Sequence, residues 1–124
     1  MSAQLQVICW GTGEPTREFI YVEDVAKIIV ESLKYYDEVD SPLNLSTGQF
    51  LKIKDLAESI SNIIDYKGDI KWDTSKPDGQ MQKILNTGKM RNIFPNFVPT
   101  SIEIGIENTI EWYKSELTGK KESR

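Results

Sequence analysis

Four side chains in this sequence have the types and positions to bind a charged, ring-bearing ligand. Arg17 directly follows a glycine turn, Gly11-Thr12-Gly13-Glu14-Pro15, and precedes an apolar run. That places a guanidinium beside backbone with few side chains. A guanidinium suits phosphate because its fork makes parallel charge-assisted hydrogen bonds. A surface ion pair with Glu14 or Glu18 is the competing reading. Trp10 opens the turn and could offer an aromatic face to a sugar or base, or pack inward like many strand tryptophans. Farther along, Ser75-Lys76-Pro77-Asp78-Gly79 and Lys83 read by composition as a solvated turn. As a site, Asp78 would accept bonds from hydroxyls while Lys76 or Lys83 met a phosphate.

Several chemistries are excluded by residue content. The 124 residues contain no histidine, so a serine triad in its usual form, a histidine-assisted cysteine and a histidine-containing zinc site are absent. Cys9 is the only cysteine, which rules out an internal disulfide framework or a cysteine metal cluster and fits a reducing compartment, hence a cytoplasmic location. In Val7-Ile8-Cys9-Trp10 it reads as a small buried hydrophobe. A net charge of −4 offers no broad attraction to nucleic acid or anionic lipid. The longest uncharged apolar run, Val7 to Trp10, is too short to span a membrane, and Met1 to Gln4 does not open a signal peptide. The glycine turn is not a dinucleotide fingerprint: Thr16 stands where a third glycine is needed, and Pro15 with a β-rich run stands where a helix should begin.

The elements that must position these groups alternate between strand and helix. Strands are predicted over Leu5 to Trp10, Arg17 to Val22, Leu43 to Thr47 and Ile70 to Asp73. From Glu23 the apolar spacing becomes helical, with Val25, Ile28, Ile29 and Leu33 on one face and acids at the N-terminal end. Tyr35 to Pro42 reads as loop. The cleanest helical face is Ile53, Leu56, Ala57, Ile60, Ile63 and Ile64. Leu51 and Lys52 deny that helix a good N-cap, and Gly68 is expected at its left-handed C-terminal position. A helical segment over 84–97 should end at Pro95. Thr100-Ser101-Ile102-Glu103 has capping-box spacing and opens a last helix with Ile102, Ile106, Ile110, Tyr113 and Leu117 on its stripe. One folded domain over 1–117 and a disordered tail over 118–124 are expected.

Trp10, Gly11, Gly13, Arg17, Phe19, Val22, Asp24 and Ala26 match the pattern W/F-G-x-G-x-x-x-R-x-F-x-x-V-x-D-x-A. This string resembles the C-terminal part of the extended short-chain dehydrogenase/reductases that act on nucleotide sugars. Asn44-Leu45-Ser46-Thr47-Gly48 resembles their N-x-G-x-G loop, with Ser46 in place of the first glycine. The Ser75 to Gly79 loop with Lys83 most resembles the GDP-L-fucose synthase family, although Asn86 stands where relatives commonly carry Asp. The resemblance implies a mixed α/β substrate domain in which Trp10 contacts the nucleotide sugar, Arg17 binds its diphosphate, Asp78 completes the pocket and Lys83 assists. It further implies NADP(H) in an intact parent enzyme, a GDP-sugar substrate, a Rossmann cofactor domain as partner and a homodimeric parent.

The same resemblance makes one absence informative. The family's ketone chemistry needs a Tyr-x-x-x-Lys pair, the lysine lowering the pKa of the tyrosine that acts as acid. The residues four after Tyr21, Tyr35, Tyr36, Tyr66 and Tyr113 are Val25, Val39, Asp40, Ile70 and Leu117. The chain is therefore expected to be a substrate-binding segment without a cofactor domain, binding no cofactor and inert alone. It would be a domain expressed apart from a longer protein, a truncated reading frame or half of a split enzyme. Alternatives are the substrate domain of another nucleotide-sugar epimerase or dehydratase, a non-catalytic module that docks on a separate Rossmann subunit, and a generic α/β interaction domain.

Overall fold

The computed structural model describes residues 5–39 and 41–119. In chain order the elements are β1 (Gln6–Trp10), β2 (Thr16–Glu18), α1 (Val22–Ser32), a 3₁₀ turn (Leu33–Glu38), β3 (Phe50–Lys52), α2 (Ile53–Ile63), β4 (Asp69–Asp73), β5 (Gln82–Lys83), α3 (Gly88–Ile93) and α4 (Ile102–Gly119). Where the sequence implies one body over 1–117, the chain divides into two compact units, each built from two separated segments.

The first unit comprises residues up to Glu18 together with Phe50–Ile84. It holds a two-stranded parallel sheet, β1 with β4, in which Cys9 stands opposite Trp72 and Trp10 opposite Asp73. Its other sheet has the order β3-β2-β5, antiparallel on one side of β2 and parallel on the other. The buried residues here are Gly11, Gly13 and Pro15, so the glycine turn itself is the packed centre of the unit. Gly11 and Gly13 have φ of 80° and 74°, where an L side chain is strained. A Cβ on Gly13 would also run into the Trp72 ring at 2.7 Å. The helix α2 lacks a side-chain N-cap, as its sequence implies. It ends earlier than expected: Asp65, not Gly68, takes the left-handed position with φ 52°, and the Tyr66 N–H closes back on the Ser61 carbonyl at 2.9 Å. Aspartate tolerates that conformation better than most residues.

The second unit comprises Phe19–Gln49 and the described residues from Leu85 to 119. Ile28, Met90 and Phe94 are its buried centre, with Ile20, Tyr35, Leu43, Leu45, Ile93 and Phe97 packed around them. The rings of Tyr35 and Phe94 meet edge to face at 5.4 Å. Asp24, 4% exposed, accepts hydrogen bonds from the Thr100 amide at 2.7 Å and the Thr100 hydroxyl at 3.0 Å. That carboxylate fixes α1 to the residue preceding Ser101, whose hydroxyl accepts from the Ile104 amide at 3.3 Å and caps α4.

Four expectations about elements need correction. The strand predicted over Arg17 to Val22 covers only Thr16–Glu18, because α1 starts at Val22. Leu43 to Thr47 forms no strand. Its polar groups go instead to side chains and local partners: the Ser46 amide donates to Met90 Sδ at 3.3 Å, and the Thr47 hydroxyl donates to the Phe19 carbonyl at 3.1 Å. The helix expected over 84–97 is the short α3, preceded by β5. The last helix runs through Gly119, past the expected start of the tail, and residues 120–124 lie outside the described ones.

Candidate functional site

All four singled-out residues, Trp10, Arg17, Asp78 and Lys83, lie in the first unit. β2 and β5 bring two of them together. Arg17 pairs with Lys83 in parallel register, so both side chains leave the same face of the sheet on adjacent strands. Among the described residues no carboxylate lies within ion-pair distance of either cation. The surface ion pair considered for Arg17 does not form: Glu14 binds Lys52 at 2.7 Å and also Lys54. Arg17 is anchored by backbone instead. Nη1 donates to the Thr16 carbonyl at 2.8 Å, and Nη2 to the Gln80 carbonyl at 2.6 Å. A guanidinium has five N–H donors, so three remain for a ligand.

Trp10 ends β1 with 71% of its surface exposed, against the inward packing that a strand tryptophan commonly adopts. Lys76 Nζ stands 5.5 Å from the centre of its ring, within cation–π range. An exposed indole with a cation over it is a surface on which a flat or polyhydroxylated group can lie. The loop carrying Lys76 is set by Asp73. Its Oδ1 accepts from the Ser75 amide at 3.1 Å and hydroxyl at 2.6 Å, while its carbonyl accepts from the Gly11 amide at 3.0 Å.

Asp78 reaches the glycine turn. Its Oδ1 accepts the Thr12 N–H at 2.6 Å, and its Oδ2 accepts the Thr12 hydroxyl at 2.7 Å. Those two bonds, the amide first, hold its carboxyl below the usual carboxylate range. Sequence reasoning singled out Asp78 as a hydroxyl acceptor and did not identify Thr12 as its partner. Gln80, the second anchor of Arg17, was also missed. No local signal could have found either, since the donor and acceptor are 66 and 63 residues apart.

Glu14, like Asp78, makes the stability of this unit depend on pH. Hydrogen bonds from Lys52 and then Lys54 lower its carboxyl to about 2. A carboxylate whose folded pKa is depressed stabilises the fold above its ordinary pKa, and that contribution is lost as pH falls through the folded value. Glu14→Gln should therefore lower the urea midpoint at pH 7, with the difference closing as pH approaches 2. An unchanged difference at pH 2 would show that the ion pairs are not its source.

The glycine turn does not fit a dinucleotide. β2, rather than a helix N-terminus, follows it, and its centre is filled by Trp72 and Asp78.

Residues 1–48 match the NAD dependent epimerase/dehydratase family. The chain is 34% identical over 118 residues to a putative GDP-L-fucose synthase 2 of Arabidopsis thaliana, covering 94% of this chain and 35% of that protein. It is 37% identical over 109 residues to a GDP-L-fucose synthase of Sinorhizobium fredii, covering 87% of this chain and 34% of that one. Among solved structures, a GDP-L-fucose synthetase from Naegleria fowleri bound to NADP superposes with a TM-score of 0.83 at 26% identity, over 91% of this chain and 36% of its own. The mixed α/β fold expected from the sequence is thus a fold found in these enzymes. The chain spans about a third of the length of the relatives it matches. Among the described residues no helix is long and apolar enough to cross a membrane.

Proposed function

We propose that this chain, similar in sequence and fold to the extended short-chain dehydrogenase/reductases and among them to GDP-L-fucose synthases, recognises the nucleotide-sugar substrate of such an enzyme. The observation that carries the reading is the Arg17–Lys83 pairing. Two cations without carboxylate partners share one face of a sheet, and a diphosphate is an anion with the charge to meet them both. Arg17 takes the diphosphate through its free donors, Lys83 adds a point charge, and Trp10 receives the sugar or base. Asp78 acts beside them. The preference for GDP over other nucleotides rests on the likeness to GDP-L-fucose synthases.

The parent reaction is NADPH-dependent epimerisation and reduction of a GDP-4-keto-6-deoxy sugar. These 124 residues contribute binding and orientation to it, since they contain neither a Tyr-x-x-x-Lys pair nor a histidine. Ketone protonation and hydride delivery then belong to a Rossmann cofactor domain, where NADP(H) would bind. Titration calorimetry with GDP-, UDP- and dTDP-sugars tests the assignment. GDP-sugars should bind at least about tenfold more tightly. Preference for UDP or dTDP would move the chain to another nucleotide-sugar epimerase or dehydratase.

A docking role for the chain is supported by a separate observation in the second unit. Val22, Ala26 and Ile29 of α1 and Leu33, which opens the 3₁₀ turn after it, recur at helical spacing, yet Val22 is 70%, Ile29 54% and Leu33 74% exposed. A stripe of this kind is normally covered. We assign its cover to the cofactor domain, joined or separately encoded. The 124-residue chain alone should self-associate in sedimentation experiments and bind an apolar dye. A dye-silent monomer at high micromolar concentration would remove this assignment.

A further inference from the structure

We infer that Asp78 and Thr12 form a positioning clasp that sets the geometry of Arg17, and that Asp78 is not itself a contact to the sugar. The inference rests on the anion-site reading above. Both carboxylate oxygens of Asp78 already accept hydrogen bonds from Thr12, one from its amide at 2.6 Å and one from its hydroxyl at 2.7 Å. The Thr12 hydroxyl oxygen in turn accepts from the Glu14 amide at 3.2 Å, so the clasp ties two residues of the turn to Asp78. The approach is close enough to exclude any side chain at Gly11, where an added Cβ would lie 3.2 Å from the Asp78 Cα and strike its carboxylate.

From Asp78 the chain runs straight into the groups that hold the cations. Two residues on, the Gln80 carbonyl accepts from Arg17 Nη2 at 2.6 Å. One further, the Met81 carbonyl accepts from the Thr16 amide at 2.8 Å, and then β5 pairs with β2 and places Lys83 beside Arg17. Pinning residue 78 to the turn therefore fixes where the Gln80 carbonyl stands, and that carbonyl fixes the plane of the guanidinium. A carboxylate aimed at a diphosphate would repel it; Asp78 remains anionic, but both its oxygens are turned to the Thr12 donors, which directs its charge toward the turn. Directly after the clasp Gly79 has a φ of 72°, a backbone conformation that L side chains rarely adopt.

Thr12→Val removes the hydroxyl donor while keeping the branched shape, and Asp78→Asn replaces one acceptor with a donor. Calorimetry with inorganic pyrophosphate and with GDP-mannose, on the full chain, separates positioning from contact. The clasp predicts that each variant weakens both ligands by the same factor, on the order of tenfold for Asp78→Asn and less for Thr12→Val. The double variant should be no weaker than Asp78→Asn alone. Loss confined to GDP-mannose would mark a direct sugar contact by Asp78, and additive losses would show that Asp78 and Thr12 act independently; either overturns the inference. If the wild-type chain binds neither ligand, the anion-site reading fails, and the clasp is decided by hydrogen exchange at the Thr12 amide. Protection in the wild type that is lost in Asp78→Asn upholds the clasp. Exchange in the wild type at the rate of a free peptide refutes it.

Discussion

Arg17→Ala should weaken binding of a GDP-sugar by at least about a hundredfold while leaving the fold intact. Each charge-assisted hydrogen bond from a guanidinium to a phosphate oxygen contributes roughly 1.5–3 kcal/mol, and two of them already exceed a hundredfold in affinity. The substitution also frees the Gln80 carbonyl that Arg17 holds at 2.6 Å, but this contact is exposed and water can replace it. Arg17→Lys should not restore binding. The guanidinium is held in plane by the Thr16 and Gln80 carbonyls while it keeps donors for the ligand, and an ammonium cannot do both. Lys83→Ala should cost less, on the order of tenfold, because an exposed lysine acts as a screened point charge. Calorimetry at low and moderate salt, with thermal midpoints as a folding control, reads all three. An Arg17→Ala chain that binds within about twofold of wild type would place the ligand elsewhere.

Asp24→Ala should destabilise the second unit by about 3 kcal/mol or more. Asp24 is 4% exposed, and both its oxygens accept from Thr100. Removing it leaves the Thr100 amide and hydroxyl, both part-buried, without an acceptor, and each unsatisfied donor costs about 1–3 kcal/mol. It also loosens the tie between α1 and the start of α4, where Ser101 caps the helix. Asp24→Asn, which keeps one acceptor, should cost less. The urea midpoint of the second unit measures this, and a loss below about 1 kcal/mol would mean that the chain relaxes around the lost carboxylate. Asp24 belongs to the sequence pattern that carries the family resemblance, as Arg17 does. The structure gives the two different settings: Arg17 is half-buried and donates to the Thr16 and Gln80 carbonyls, whereas both oxygens of the buried Asp24 accept from Thr100.

What could be read from the sequence followed from local periodicity. α2 and the first turns of α4 are visible because their apolar residues repeat every three or four positions, a pattern that survives in the half-buried Ile102, Ile106 and Ile110. The end of α4 does not follow its stripe inward, as Tyr113 and Leu117 are 57% and 48% exposed. β-rich composition misled where no partner strand exists. Phe19-Ile20-Tyr21-Val22 has high β propensity, yet helix begins at Val22, and Leu43 to Thr47 forms no strand. β3 escaped notice because Phe50-Leu51-Lys52 looked only like a poor helix start; its pairing with β2 comes from a segment more than thirty residues away. The two units were not legible for the same reason, each being assembled from pieces far apart in sequence. At the candidate site, residue type identified Trp10, Arg17, Asp78 and Lys83. What joins them is long-range: the register of β2 with β5, the Gln80 carbonyl, and the Thr12 donors. Type names the groups that can do chemistry, and tertiary structure decides which of them face a ligand.

The central claim is that a nucleotide diphosphate is held by the cations of β2 and β5 at the edge of the glycine turn. The most direct test is an amide-resolved NMR titration of the chain with GDP, followed on nitrogen and phosphorus. The account predicts saturable shifts at Gly11 to Gly13, Thr16 to Glu18 and Gln82 to Lys83, a perturbed Trp10 indole N–H, and broadening or shift of the diphosphate resonances, all abolished by Arg17→Ala. Shifts confined to the second unit, or persisting undiminished in Arg17→Ala, would contradict it.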